Sequence, residues 1–111
     1  MKTNPLIVFC TVPDEKVAKE ISHALVTERL AACCNIVPGD KSEYEWQGKI
    51  CSENEIQLFI KTRAVLYDRL EQRLLELHPY DVPEILALPV QHGLSTYLKW
   101  MDEHVGEESE R

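Results

Sequence analysis

The sequence predicts an α+β fold: a ferredoxin-like split β-α-β sandwich with a long hairpin between its second and third strands and a helix at its C-terminal end. Three observations carry this. Apolar periodicity alternates between strand and helix patterns in the order strand, helix, strand, strand, helix, strand, helix. The spacing repeats, since 27 residues separate Thr11 from Pro38 and again Thr62 from Pro89. Two strand–helix–strand units of equal length within 111 residues fit one domain spanning 1–111, ordered over about 5–105.

The elements follow in order. "PLIVFCTVP" is a continuous β-prone run, as in a central strand buried on both faces. Asp14 follows Pro13 and is placed to cap a helix. In "DEKVAKEISHALVTERLAA" the apolar residues 17, 21, 24 and 25 form one helical face, and His23 points away from it. "ACCNIVPG" is a second strand, with Cys33, Asn35 and Val37 on one side and Cys34 and Ile36 on the other. Pro38 and Gly39 end or bend it. "SEYEWQGKICSENEIQLFIKT" is a long hairpin turning at Gly48, where a tight turn needs a positive φ. "RAVLYDRLEQRLLELH" is a helix with a Leu66, Leu70, Leu74 and Leu77 stripe. "EILALPV" is the fourth strand. "STYLKWMDEH" is a short amphipathic helix with Tyr97, Leu98, Met101 and Val105 along one side. The acidic run 106–111 has no apolar residue and is expected to fray. Two helices on one face leave the other face of the sheet short of cover, so sister chains are the expected cover.

Composition narrows function. Net charge is −7, with 12 basic against 19 acidic residues, which disfavours nucleic acid as a partner. No apolar run reaches the roughly 18 residues of a membrane span. The first strand has no cleavage-site pattern, so the expected location is cytoplasmic. The four cysteines, Cys10, Cys33, Cys34 and Cys51, show no CxxC spacing and read as reduced thiols. There is no HExxH, GxSxG or phosphate loop, and no enzyme is expected. Nor is an organic cofactor.

"FCTVPDE", "LAACCNIVPG", "SEYEWQGKI", "EIQLFIKT", "HPYDVPEILALPV" and "YLKWM" stand in the order and spacing of the CutA divalent-cation tolerance family, which the chain resembles over about residues 7–101. The resemblance implies a cytosolic homotrimer linked to tolerance of copper and other divalent metals, the hairpin reaching to the next subunit. Its architecture also resembles the PII signalling trimers, so a trimer binding a small ligand or a protein partner is the alternative. The family's proposed copper ligands map onto Cys10 and His78. Some members carry a second histidine where this chain has Leu77.

Two physical readings bear on these residues. His78 precedes Pro79 at the end of a helix, where an imidazole can meet unpaired helix carbonyls. The first and third strands are expected to run parallel, so that the helix carries His78 roughly 22 Å from Cys10. A copper or zinc site using both would then draw on two subunits. A cleft between subunits is the other candidate, lined by Trp46, Glu55, Lys61, Tyr80 and Glu84.

Overall fold

The computed structural model describes residues 4–106. Strand β1 (Pro5–Val12) leads to helix α1 (Glu15–Thr27), then to strands β2 (Cys33–Trp46) and β3 (Lys49–Arg63). A single 3-10 turn, Ala64–Leu66, runs into helix α2 (Tyr67–Leu77). Strand β4 (Ile85–Pro89) and helix α3 (Ser95–Glu103) complete the order. The four strands form one sheet in the order β2-β3-β1-β4. This is the split β-α-β arrangement that the sequence predicts.

Local signals explain the boundaries. The Asp14 carboxylate accepts from the Val17 amide at 2.9 Å and opens α1. The two turn residues Gln47 and Gly48 have φ of 52° and 80°, the paired positive values of a tight hairpin whose twist matches its strands. Pro38 and Gly39 do not end β2. They sit at a register shift between Val37 and Asp40, where Gly39 adopts φ 87°; the strand bends at this bulge and continues.

Val8, Cys10, Val12, Leu58 and Ile60 of the sheet pack with Ala18, Ile21 and Leu25 of α1 and Leu70 and Leu74 of α2 in one fully buried core. Both crossover helices therefore lie on one face. Leu77 is half-buried against the same cluster. A second, smaller core joins Ala32, Leu66, Met101 and Val105 beneath α3. Arg29, at φ 62°, fastens that helix from its far end. Its guanidinium donates to the carbonyls of Glu103 and Gly106, both at 2.8 Å. Gly106 is thus a buried, bonded residue; the rest of the run expected to fray, 107–111, lies outside the described residues.

One expectation is overturned. β1 and β3 are antiparallel, Val12 facing Ile56 and Pro5 facing Arg63. A split β-α-β unit requires this, because β3 is inserted between the parallel pair β1 and β2. The middle of β3, at Ile56, therefore lies beside the end of β1, and α2, running back along the sheet, ends there too.

The opposite face carries Ile7, Phe9, Gln57, Phe59, Lys61, Asn35, Val37, Leu86 and Leu88, by alternation from the buried positions. Phe9 and Phe59 meet edge to face at 5.2 Å. Helix α3 covers only the end near Ile7 and Lys61. Val37, Leu86 and Leu88, on the two edge strands, are 42%, 61% and 54% exposed, so apolar side chains on this face reach solvent within one chain.

Candidate functional site

The candidate site forms where β1, β3 and the end of α2 converge. Cys10 points into the helix-covered core and is fully buried. Its thiol makes one weak contact, to the Thr11 carbonyl at 3.8 Å. Burial above all pushes this thiol from 9.0 up to about 12, with the charges of Glu84, Cys34 and Glu55 adding to the effect.

His78 caps α2 in an extended conformation, its amide donating to the Leu74 carbonyl at 2.8 Å. Its imidazole turns away from the helix carbonyls and across to β1. Nδ1 receives the Tyr80 amide hydrogen at 3.1 Å. An amide N–H can only donate, so Nδ1 is the acceptor and Nε2 carries the proton. Nε2 then donates to the Thr11 carbonyl at 2.8 Å. Both ring nitrogens are engaged in a side chain 7% exposed.

The chain of contacts continues outward. The rings of His78 and Tyr80 lie 4.7 Å apart. The Tyr80 hydroxyl donates to Glu55 Oε2 at 2.7 Å. Burial and this bond hold the phenol well above its usual range. Glu55 is only 7% exposed and stands opposite Asp40 in the hairpin register. Nearby, burial raises the Glu84 carboxyl, helped by the charges of Asp40 and Glu55. Among the described residues no Lys or Arg forms an ion pair with Glu55, Glu84 or Asp40.

The structure thus brings together Cys10, His78, Glu55, Tyr80 and Glu84. It corrects the roughly 22 Å separation expected for Cys10 and His78, because β3 is antiparallel to β1. It separates the other two candidates. Lys61 lies six residues along β3 from Glu55, roughly 20 Å at the rise of a strand, with its ammonium 5.7 Å from the Tyr97 ring centre. Trp46, at the hairpin tip opposite Lys49, is 56% exposed and a similar distance away. Asp40 and the Thr11 carbonyl were missed from sequence. Asp40 was within reach: counting back from the Gln47–Gly48 turn sets it opposite Glu55.

The donors differ in what they can hold. A metal on His78 would displace the Nε2 proton and its bond to Thr11, and Cys10 offers a protonated thiol instead of the thiolate that soft metals bind. A metal would reach this pair only by displacing both protons and the Thr11 bond. The carboxylates of Glu55, Glu84 and Asp40 offer oxygen donors suited to a harder divalent ion. Among the described residues, no group of three or more His, Cys, Asp or Glu is gathered closely enough to hold an ion within one chain.

Comparison with known proteins bears on the family and the fold. The family model for the CutA1 divalent ion tolerance protein matches residues 6–104. The Divalent-cation tolerance protein CutA of Thermus thermophilus is 50% identical over 100 residues, covering 90% of this chain and 97% of that protein. The chloroplastic Protein CutA of Arabidopsis thaliana is 46% identical over 101 residues, 90% of this chain but only 56% of the plant protein. The crystal structure of CutA from Xylella fastidiosa superposes with a TM-score of 0.91 at 46% identity, covering 94% of this chain and 100% of that one.

Proposed function

The chain belongs to the CutA1 divalent ion tolerance family, and we propose that it serves divalent-cation tolerance as a homotrimer that takes a cation where its subunits meet. The observation that supports this best is the carboxylate group around Glu55. A carboxylate 7% exposed, tied to a phenol, with Glu84 and Asp40 close by and no basic partner among the described residues, leaves negative charge uncompensated. A divalent ion compensates it most directly. One subunit supplies too few ligands, so a neighbouring hairpin completes the site, and the exposed tip at Trp46 is the part with the reach. The apolar face at Val37, Leu86 and Leu88 favours the same assembly, since sister chains would cover it.

On this reading Cys10 and His78 belong to the scaffold, and the protein is a binding protein without catalytic chemistry. All four cysteines are free thiols, which favours a reducing compartment such as the cytoplasm. A second reading, a PII-like signalling trimer taking a small ligand or a protein partner in the same clefts, is favoured by the aromatic surface that Trp46 presents.

Calorimetry with Mn²⁺, Zn²⁺ and Cu²⁺ on the reduced protein tests the proposal, with sedimentation equilibrium giving the assembly. Binding should weaken at least about tenfold in Glu55→Gln and Glu84→Gln, as expected for losing a charged ligand, and should persist in Cys10→Ala. Binding abolished by Cys10→Ala, with circular dichroism showing a folded protein, would restore the thiol as a ligand. Absence of binding by all three metals at micromolar concentration would favour the signalling reading. A stable monomer would remove the clefts altogether.

A further inference from the structure

A cavity of about 200 Å³ lies between α3 and the open face of the sheet, far along β3 from the carboxylate group. Ile7, Val90, Leu98 and Met101 give it apolar walls, and Lys61 and Tyr97 also line it. Gly93 stands in the wall, where a Cβ would come within 3.1 Å of Leu98. Lys61 is half-buried, and its recorded partner is the face of the Tyr97 ring, 5.7 Å from the ammonium. Among the described residues no carboxylate pairs with it. In a chain of net charge −7, a half-buried lysine without an acidic partner among the described residues, lining an apolar cavity, is out of keeping with its surroundings.

We propose that this cavity is a binding site for a small monocarboxylate with a compact apolar tail. The tail would lie against Ile7, Val90, Leu98 and Met101, and the carboxylate would meet the Lys61 ammonium, with the Tyr97 hydroxyl available as a second donor. Size sets the class. An apolar cavity of about 150 Å³ accommodates a benzene-sized molecule, so this one has room for a branched or aromatic acid of few atoms and not for a nucleotide. Charge sets it too. One ammonium matches one negative charge, whereas phosphate needs a cluster of donors. The site is independent of the cation proposal, since it shares no residue with Glu55, Glu84 and Asp40.

The test is a nuclear magnetic resonance titration of the protein in its native assembly with isovalerate and benzoate. Isovaleramide and inorganic phosphate serve as controls. Saturable shifts should appear at residues around Lys61, Tyr97 and Leu98, with affinity on the order of 1 mM, the scale for so small a ligand. The neutral amide should bind at least about tenfold more weakly, the loss expected when a charge-assisted contact becomes a neutral one. Lys61→Met should lose affinity for the acids to the same extent, and Gly93→Ala, which presses Leu98 toward the cavity, should weaken benzoate. Equal binding of acid and amide to the wild type would overturn the proposal without recourse to any variant. So would shifts confined to other surfaces, or no saturation by about 20 mM, the result expected if a neighbouring copy's side chain fills the space.

Discussion

The imidazole of His78 and the thiol of Cys10 converge on a single oxygen, the Thr11 carbonyl, at 2.8 Å and 3.8 Å. Two residues separated by 68 positions in sequence thus share a backbone acceptor at the end of β1. The bond from His78 fastens the end of α2 to that strand. Its other nitrogen holds Tyr80, which in turn holds Glu55. The histidine links the helix-covered core to the carboxylates on the other side of the sheet.

His78→Ala should therefore destabilise the protein by about 2 kcal/mol, because the Thr11 carbonyl and the Tyr80 amide both lose a partner in a buried place. It should also loosen Tyr80 and, through it, Glu55. Urea unfolding at neutral pH measures the first effect. Amide exchange at Tyr80 measures the second, and should rise in the variant well before global unfolding. An unchanged urea midpoint would show that the imidazole bonds contribute nothing net.

The thiols of buried Cys10 and half-buried Cys34 give a pH dependence with a definite sign. Burial, ahead of all other causes, raises both Cys10 and Cys34 from 9.0 to about 12. Below pH 9.0 these thiols are protonated in the folded and unfolded chain alike, and the stability they contribute is complete. As pH rises above 9.0 the unfolded chain ionises first, so stability falls progressively until the folded value is reached. Urea midpoints should accordingly drop on the alkaline side, and Cys10→Ala should make the drop shallower. Reactivity follows the same cause. At about pH 8 the Cys10 thiol is almost wholly protonated, so iodoacetamide should label the half-buried Cys33 and Cys51 well before Cys10 and Cys34, as peptide mass spectrometry would show.

How much of this was legible in the sequence depends on the range of the interaction. The caps, the Gln47–Gly48 turn and the leucine stripe of α2 are local, and their residues declare them. The split topology was legible because two equal 27-residue spacings repeat. The site was partly legible: Glu55, Tyr80 and Glu84 emerged as a group, but His78 was placed against its own helix and far from Cys10. That error came from strand direction, which no single residue encodes. It follows only from which strand β3 is inserted beside, and one reversed strand moves a helix end by the length of the sheet. Lys61 and Trp46 joined the group because Lys61 shares a side of β3 with Glu55 and because Trp46 was expected from a neighbouring subunit's hairpin; within one chain the length of β3 keeps both away. Arg63 gave no signal, because its burial arises from α3 closing over the sheet.

Glu84 offers a test of the cation proposal through stability. Its carboxyl is raised above 4.5, first by burial and then by the charges of Asp40 and Glu55. A raised carboxyl means that the folded state favours the protonated form, so its contribution is full at acid pH and is lost as pH rises through the folded value. In metal-free buffer at neutral pH, Glu84→Gln should be as stable as the wild type or slightly more so, and that difference should shrink as pH falls toward 4.5. Added divalent cation should raise the melting temperature of the wild type by mass action and raise that of the variant much less. Equal shifts for both proteins would place any bound ion elsewhere.

Arg63 supplies the last and most severe prediction. Its side chain is fully buried beneath α3, and among the described residues none of its three guanidinium nitrogens has a hydrogen-bond partner. Its compensation is the Asp102 carboxylate, 3.7 Å from Nε and 25% exposed. Removing Asp102 leaves a buried charge without its counterion, which should cost about 3 kcal/mol. Removing the guanidinium as well should behave differently. Methionine in place of Arg63 would extend the apolar cluster of Ala32, Leu66, Met101 and Val105, and the charge that needed Asp102 would be gone. Asp102→Ala should therefore be strongly destabilised, while Arg63→Met/Asp102→Ala should recover much of the loss, because a buried ion pair replaced by packed apolar groups is often neutral or better. Urea unfolding of the single and double variants measures both. If the double variant is as unstable as the sum of its parts, the guanidinium holds α3 through its shape and contacts, and its charge is incidental.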